Sequence, residues 1–174
     1  MSKLAEKYTD LDKLRHSCAH VLAQAVKRKY PHAKLGFGPP VEDGFYYDIH
    51  LPEALGEPDL LAIEQEMAKI VEADYAFEKK NVSAEEARKI FKQKNESFKV
   101  ETIDQLEGQE DISVVIEGDF TDLCKYPHAH STGKIKAFKL TSIAGAYWKG
   151  VETNPVMQRI YGTAFASKKE LDEY

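Results

Sequence analysis

The chain has 174 residues, of which 43% are hydrophobic and 30% charged, and its formal net charge is −5. This composition excludes a disordered chain and indicates a globular protein with one domain over residues 1–174. The acidic balance argues against a protein that holds nucleic acid mainly through phosphate contacts, because such proteins are usually basic.

The cellular compartment is predicted from three features that the sequence lacks: a membrane span, a signal peptide and a disulfide framework. The apolar runs are much shorter than a membrane span, and the start, MSKLAEKYTDLDK, has no apolar core, so neither membrane contact nor a signal peptide is expected. The two cysteines, Cys18 and Cys124, do not make a disulfide framework. We therefore expect a reducing, cytoplasmic setting.

The first predicted element is a helix from Leu11 to Tyr30. Thr9 and Asp12 have the spacing of a capping box at its start, and Pro31 ends it. Apolar residues recur at helical spacing and form the predicted core stripe: Leu14, Cys18, Val21, Leu22 and Ala25.

The next segments mix strands and helices. Residues 33–51 predict two short strands joined by a turn at residues 42–44, and a helix follows from Pro58 to Ala73. Its core stripe consists of Leu60, Ile63, Met67 and Ile70. Residues 75–82 predict an exposed strand.

A second capping box, from Ser83 to Glu86, predicts a short helix that ends near Lys94. Residues 98–103 (FKVETI) and 112–118 (ISVVIEG) are predicted to be strands.

The last part of the chain carries the strongest strand signals, in residues 135–148 and 157–165. Residues 167–174 read as the start of a truncated connecting helix. Helices and strands do not alternate regularly, which predicts an α+β fold. We expect a largely antiparallel sheet that packs against the histidine-bearing first helix and further helices.

Two histidines of the first helix, His16 and His20, lie four residues apart and hence on one face. At about 100° per residue, this face lies away from the apolar stripe, and Cys18 on the stripe is interpreted as a core cysteine.

The segment DLCKYPHAH, residues 122–130, adds a thiol, a carboxylate and two imidazoles. Cys124 and His128 complete, with the helical pair, a set of four side chains that suits tetrahedral zinc. The same spacing also fits a solvated histidine pair beside an unrelated loop, and spacing alone leaves both interpretations open. No metalloprotease helix, P-loop or dinucleotide glycine pattern is present.

Six segments then occur in a familiar order: RHSCAHVLAQAV, GPPVEDGFYYDI, ESFKV, DLCKYPH, STGKIKAFKLTSIAGAYWKG and MQRIYGTAF. Together they closely resemble the editing domain of bacterial-type threonyl-tRNA synthetase, within the threonyl/alanyl-tRNA synthetase additional-domain family. The resemblance runs from about Leu14 to Tyr174. GAYWKG followed by MQRIYGTAF resembles the threonyl branch more than alanyl-tRNA synthetase and its free-standing editing relatives.

The resemblance implies a function: post-transfer editing, the hydrolysis of mischarged seryl-tRNA(Thr) to serine and free tRNA(Thr). It also implies two partners, the tRNA(Thr) acceptor end carrying serine and the rest of a threonyl-tRNA synthetase. This chain itself has no segment that resembles the ligase core.

The resemblance also assigns roles to residues. Those implied as catalytic are His16, His20, Lys99, Asp122 and His128. Those implied to contact the substrate are Tyr47 and Cys124. Residues interpreted as core, turn or exposed loop positions are Asp43, Tyr46, Trp148 and His130.

The chemistry needs an oriented water, a base, stabilisation of the oxyanion and a proton for the departing ribose oxygen. Asp122 can bind the ammonium group of serine. Cys124 either ligates zinc or narrows the pocket, and a third role, as a covalent nucleophile, ranks last because it needs a low pKa and a nearby base. The threonyl branch implies a site without a metal, whereas alanyl relatives use the same signature to hold zinc. We therefore expect no metal, with zinc on His16, His20, Cys124 and His128 as the alternative.

Two other functions remain open at this point. One is a zinc-dependent editing hydrolase of the alanyl type that acts in trans. The other is a non-catalytic module that only holds tRNA, against which the acidic charge counts mildly.

Overall fold

The structure, a computed structural model, describes residues 8–109 and 111–174. Residues 1–7, in the segment where no signal peptide is expected, lie outside this description. The first helix, α1, spans Asp10–Lys29 and begins at the predicted cap. The Asp12 amide donates to Thr9 Oγ1 at 3.1 Å, and the Thr9 amide donates to the Asp12 carboxylate at 3.0 Å, so both halves of the capping box form.

The burial of α1 differs from the predicted one-sided stripe. Every side chain from Leu14 to Val26 is buried, because the helix lies at the centre of the fold and is covered on all sides. His16 and His20 are 3% and 2% exposed, so the interpretation as a solvated pair is wrong.

Five strands form the larger sheet: β1 (Lys34–Leu35), β2 (Pro40–Val41), β3 (Gly44–His50), β7 (Ala137–Tyr147) and β8 (Val156–Phe165). Their order is β1-β3-β8-β7, β2 pairs with β3, and all of these pairings are antiparallel. The predicted turn before β3 has Asp43 at a φ of 59°. A β-carbon on Gly44 would lie 2.3 Å from the Gly162 carbonyl oxygen, so this strand crossing needs glycine.

A second, three-stranded antiparallel sheet contains β4 (Glu78–Val82), β5 (Ile112–Glu117) and β6 (Phe120–Leu123). The helices α2 (Glu57–Ala73) and α3 (Ala84–Gln93) lie near the predicted bounds. Ser83 caps α3 by accepting from the Glu86 amide, which is one half of the predicted capping box. The Glu86 carboxylate instead lies 3.9 Å from Lys80 Nζ.

The strand predicted for residues 98–103 is wrong, since this segment lies in helix α4 (Ser97–Leu106). Its buried residues are Phe98, Lys99, Thr102 and Ile103, whose spacing puts them on one helical face. The β-branched residues at 100, 102 and 103 suggested a strand, but packing of that face decided the outcome.

The main core lies between α1, α2 and the larger sheet, and a smaller core joins α3 and α4 to β5. Two short helical turns, Thr132–Lys134 and Trp148–Gly150, flank β7, and α5 spans Lys168–Glu173. Mixed helices and antiparallel sheets confirm the predicted α+β class. Among residues 8–109 and 111–174, no helix is both long and apolar enough to span a bilayer.

One buried acidic side chain, at the end of β5, lacks hydrogen-bond support among the described residues. Glu117 is 0% exposed, and neither of its carboxylate oxygens has a hydrogen-bond partner among the described residues. Burial therefore raises the pKa of Glu117 well above its ordinary value of 4.5.

We predict that Glu117→Gln stabilises the protein at neutral pH. The folded protein keeps a proton on Glu117 that the unfolded chain loses above about pH 4.3, so stability falls as the pH rises from there towards the folded pKa. Relative to the variant, the native protein should lose up to about 1.4 kcal/mol of unfolding free energy per pH unit in this window. Chemical denaturation at pH 5, 6 and 7 measures this. The exposed Glu78→Gln is the control, and an advantage of Glu117→Gln that does not change with pH would contradict the prediction.

Candidate active site

Five parts of the fold that lie far apart in the sequence meet at one place. They carry the seven side chains implied by the resemblance: His16 and His20 on α1, Tyr47 on β3, Lys99 on α4, Asp122 on β6, and Cys124 and His128 in the loop after β6. The structure brings all seven into one cluster.

Asp122 is at the centre of this cluster and is 1% exposed. Its Oδ1 lies 2.8 Å from Lys99 Nζ and accepts from the Leu123 amide at 2.8 Å. Its Oδ2 lies 2.8 Å from His20 Nδ1 and accepts from the Tyr47 hydroxyl at 2.7 Å. Burial alone would raise the pKa of Asp122, but Lys99 and His20 outweigh burial and hold that pKa well below its usual range. Asp122 is therefore an ionised carboxylate with both oxygens fully engaged.

This geometry differs from the expectation that Asp122 binds the ammonium group of serine. Each oxygen already has two partners within the protein, so a substrate ammonium would have to displace one of them. The contacts of Asp122 fit the orientation of its neighbours better than direct recognition of the substrate.

Lys99 is also fully engaged, and it is 1% exposed. Besides its contact with Asp122, its ammonium donates to the Gly36 carbonyl at 2.6 Å and to the Tyr47 hydroxyl at 2.9 Å. An ammonium group has three hydrogens, and these three partners use all of them. Lys99 is therefore an ammonium group held in place against Asp122 Oδ1 and the Tyr47 hydroxyl.

The two histidines of α1 connect this ion pair to the thiol. His20 Nδ1 must donate to Asp122, because a carboxylate only accepts. His20 Nε2 lies 3.0 Å from His16 Nε2, which in turn lies 2.9 Å from Cys124 Sγ. A continuous chain of contacts thus runs from Lys99 to Cys124.

The imidazoles differ in charge. Burial lowers the pKa of His20, but the Cys124 sulfur and the Asp122 carboxylate outweigh it and raise the pKa to about 10. Burial and the neighbouring His20 charge lower the pKa of both His16 and His128. At neutral pH, the charged imidazole of His20 therefore contacts two neutral imidazoles, those of His16 and His128.

His128 contacts both helical histidines, with ring centroids 5.0 Å from His16 and 4.9 Å from His20. Its other face stacks on Phe77 at 5.5 Å with an interplanar angle of 12°. Its Nε2 is buried and has no hydrogen-bond partner among the described residues.

A cavity of about 380 Å³ opens beside the cluster and is lined by six of the seven residues, all except His128. Aromatic rings make much of the remaining wall: Phe37, Tyr46 and Tyr126. A β-carbon on Gly38, which also lines the cavity, would lie 2.3 Å from Tyr47 Cδ2, so glycine lets the tyrosine reach Asp122.

The sequence did not single out Tyr126, whose ring lies 5.2 Å from His16. The signal in the sequence that could have identified Tyr126 as a site residue is its position between Cys124 and His128. Tyr46, interpreted as a core or turn residue, instead lines the cavity. Trp148 is buried against Phe98, as a core role requires.

The four donors predicted for zinc converge. One ligand atom from each of His16, His20, Cys124 and His128 lies within 4.8 Å of the others. The three nitrogens and one sulfur suit zinc, and the Asp122 contact with His20 is the carboxylate–histidine arrangement that often supports a zinc ligand. Zinc would hold tetrahedral ligands about 3.3–3.6 Å apart, given its usual bond lengths. Two of the separations here are shorter, at 2.9 Å between His16 Nε2 and Cys124 Sγ and 3.0 Å between the Nε2 atoms of His16 and His20.

Comparison with known proteins identifies a matching family and several relatives of this chain. Residues 112–161, which include Asp122, Cys124 and His128, match the family described as the threonyl and alanyl tRNA synthetase second additional domain.

The chain is similar to threonine–tRNA ligase of Symbiobacterium thermophilum, with 52% identity over 160 residues that cover 92% of this chain and 25% of the relative. The same enzyme of Acetivibrio thermocellus is 53% identical over 163 residues, which cover 94% of this chain and 26% of the relative. That of Nitrosococcus oceani is 49% identical over 164 residues, with the same coverage. The chain thus spans about a quarter of the length of these relatives. Residues 112–161 thus belong to the family of the threonyl and alanyl tRNA synthetase second additional domain, and 92–94% of the chain matches threonine–tRNA ligases.

Proposed function

We propose that this chain is an editing hydrolase that removes serine from mischarged seryl-tRNA(Thr). The observation that carries the proposal is the buried chain of contacts from Lys99 through Asp122 and His20 to His16, beside a cavity of about 380 Å³. Perturbed ionisable groups that converge at a cavity are typical of catalytic sites.

The need for such an activity follows from the two amino acids. Serine lacks one methyl group of threonine, and a pocket built for threonine gains only about 1–3 kcal/mol from that methyl. A second site that accepts the smaller product and hydrolyses it restores accuracy.

The reaction begins with water at the ester carbonyl of the aminoacyl group. The water oxygen bonds to the carbonyl carbon, the bond from that carbon to the ribose oxygen breaks, and the ribose oxygen takes up a proton. His16 lines the cavity and is neutral, and its Nε2 accepts from the Nε2–H of the charged His20. When that His20 proton moves to the ribose oxygen, the freed His16 Nε2 accepts the proton of the attacking water. The charged His20, with its Nε2 3.0 Å from His16, stabilises the negative charge that develops and supplies a proton for the leaving group.

Asp122 and Lys99 set up this pair rather than bind the substrate. Asp122 fixes the His20 ring and favours its protonated form, and Lys99 balances the carboxylate. His128 packs against both rings and limits their movement.

The remaining cavity wall gives selectivity. Cys124 lies beside His16, where its sulfur narrows the space next to the reacting carbonyl. Tyr46 and Tyr126 also line the cavity, and aromatic side chains of this kind stack on nucleic-acid bases such as the terminal adenine. We propose that the tRNA(Thr) acceptor end enters here, and that the chain acts in the cytoplasm as part of a threonyl-tRNA synthetase.

A second candidate is a zinc-dependent editing hydrolase, and the convergence of His16, His20, Cys124 and His128 favours it. If three of these donors held zinc and left the fourth position open, the metal would lower the pKa of a bound water and so supply the nucleophile. The short His16–His20 and His16–Cys124 separations favour hydrolysis by the side chains alone.

We predict that the chain hydrolyses seryl-tRNA(Thr) faster than threonyl-tRNA(Thr) by 10-fold or more, on the order of the 1–3 kcal/mol that one methyl costs when it overfills a pocket. Release of each labelled amino acid, measured side by side, gives the ratio. Equal rates on both substrates would contradict the proposed selectivity, and tRNA binding without hydrolysis would favour a non-catalytic module.

Lys99→Met should reduce the rate by about 10²–10⁴-fold, the range typical of a group that controls proton transfer. It also leaves the buried Asp122 carboxylate without its main counter-charge, so unfolding should become easier by about 3–5 kcal/mol. Circular dichroism at the assay temperature must first show that the variant is folded. The exposed Lys139→Met is the matched control, and Cys124→Ala should cost less than Lys99→Met. A folded Lys99→Met protein with the native rate would refute the assigned role.

Chelation separates the two candidate mechanisms. If the side chains act alone, dialysis against a strong chelator should leave both the melting temperature and the deacylation rate unchanged. Stoichiometric zinc in the purified protein, with loss of melting temperature after chelation, would instead support the zinc-dependent hydrolase, because a structural zinc contributes folding free energy.

A further inference from the structure

Ser17 is buried in α1 between the two histidines and is 0% exposed. Serine is not favoured inside helices, since its hydroxyl competes with the backbone for hydrogen bonds. Here the hydroxyl donates to the Lys13 carbonyl one turn earlier, at 2.7 Å. Its oxygen also accepts from the amide of Ala129, at 2.8 Å. Ser17 thus ties α1 to a residue more than one hundred positions later in the chain.

The residue it holds is next to His128. The loop from residue 124 to residue 130 forms neither helix nor strand, so its position depends on individual contacts. The Phe77 amide donates to the His130 carbonyl at 3.1 Å, which secures the far end of the loop to the segment before β4. The contact between Ser17 and Ala129 secures the middle of the loop to α1, and it does so at the level of His16 and His20.

Alanine could not replace Ser17 without consequence. The part-buried Ala129 amide would lose its partner, and such a loss costs more than a hydrogen bond contributes on average. The loop would then be free to shift, and His128 would lose its fixed position against the two helical rings.

We propose that Ser17 is a positioning residue for His128: its hydroxyl holds the Ala129 amide and so fixes the His128 ring against His16 and His20. This inference rests on the proposed function, in which those rings carry out hydrolysis. Ser17 itself does not contact the substrate, and its effect is transmitted through His128.

A double-mutant cycle of Ser17 and His128, assayed with seryl-tRNA(Thr), tests whether Ser17 acts through His128. Ser17→Ala should lower kcat by on the order of 10-fold, less than the about 10²-fold that a 1 Å misplacement can cost, with KM within about twofold of the native value. In a His128→Ala background, Ser17→Ala should cause no further loss, because the group it positions is gone. Losses that simply add in the double variant would overturn the proposal. Cys18→Ala, at the neighbouring buried core position, is the control for general destabilisation and should retain the native rate.

Hydrogen exchange provides a readout that does not depend on activity. Residues 126–130 should exchange faster in Ser17→Ala than in the native protein or in Cys18→Ala, and unchanged exchange would overturn the proposal. If Ser17→Ala does not fold, Ser17→Cys keeps a similar volume with a weak acceptor and should show the same faster exchange and lower kcat. A native protein that fails to hydrolyse seryl-tRNA(Thr) would refute the proposed function, while the exchange data would still decide whether Ser17 holds the loop.

Discussion

The fold and the candidate site both depend on one buried ion pair, between Lys99 and Asp122, whose charged atoms are 2.8 Å apart. Each residue is 1% exposed, and a buried charge is tolerated only when it is paired and hydrogen-bonded. This requirement explains why α4 enters the core beside β6, why Tyr47 points its hydroxyl inwards, and why the Gly36 carbonyl faces Lys99. Removal of Lys99 or Asp122 would leave the other buried charge without its main counter-charge, so the same pair serves both the packing and the chemistry of the site.

The second organising feature is a polar row along the central helix. Four residues of α1, each four positions after the last, face the β5–β6 hairpin: His16, His20, Gln24 and Arg28. Their partners follow in matching order, with Cys124 beside His16, Asp122 beside His20, and Asp119 beside both Gln24 and Arg28. The buried members of this row, His16, His20 and Gln24, are tolerated because each has a partner, and the hairpin and the loop after it provide these partners in sequence. The histidine pair is thus part of a longer row.

The sequence predicted much of this fold because its signals were local. The Thr9 cap, the stripe of α2 and the long strands of residues 135–148 and 157–165 depend on neighbouring residues, and the structure agrees with them. The failure at α4 came from β-branched residues, whose preference is weaker than the packing of one helical face. The spacing of His16, His20, Cys124 and His128 indicated a set of zinc-type donors but left a solvated histidine pair open. Tyr47, Lys99 and Asp122 joined the predicted site only through the family resemblance. Ser17 was missed because its role depends on a contact across more than one hundred residues.

The polar groups of the cluster also decide how the site can recognise a substrate. Because Asp122 and Lys99 use all their hydrogen-bonding capacity within the protein, neither remains to distinguish one amino acid from another. Discrimination then falls to the cavity wall, where His16 and Cys124 lie 2.9 Å apart and leave little room to adjust. A rigid wall opposes an added methyl by steric exclusion, which suits a choice between serine and threonine, since both carry the same hydroxyl. In the proposed editing reaction, the internal saturation that stabilises the ion pair would therefore also make the site selective by shape.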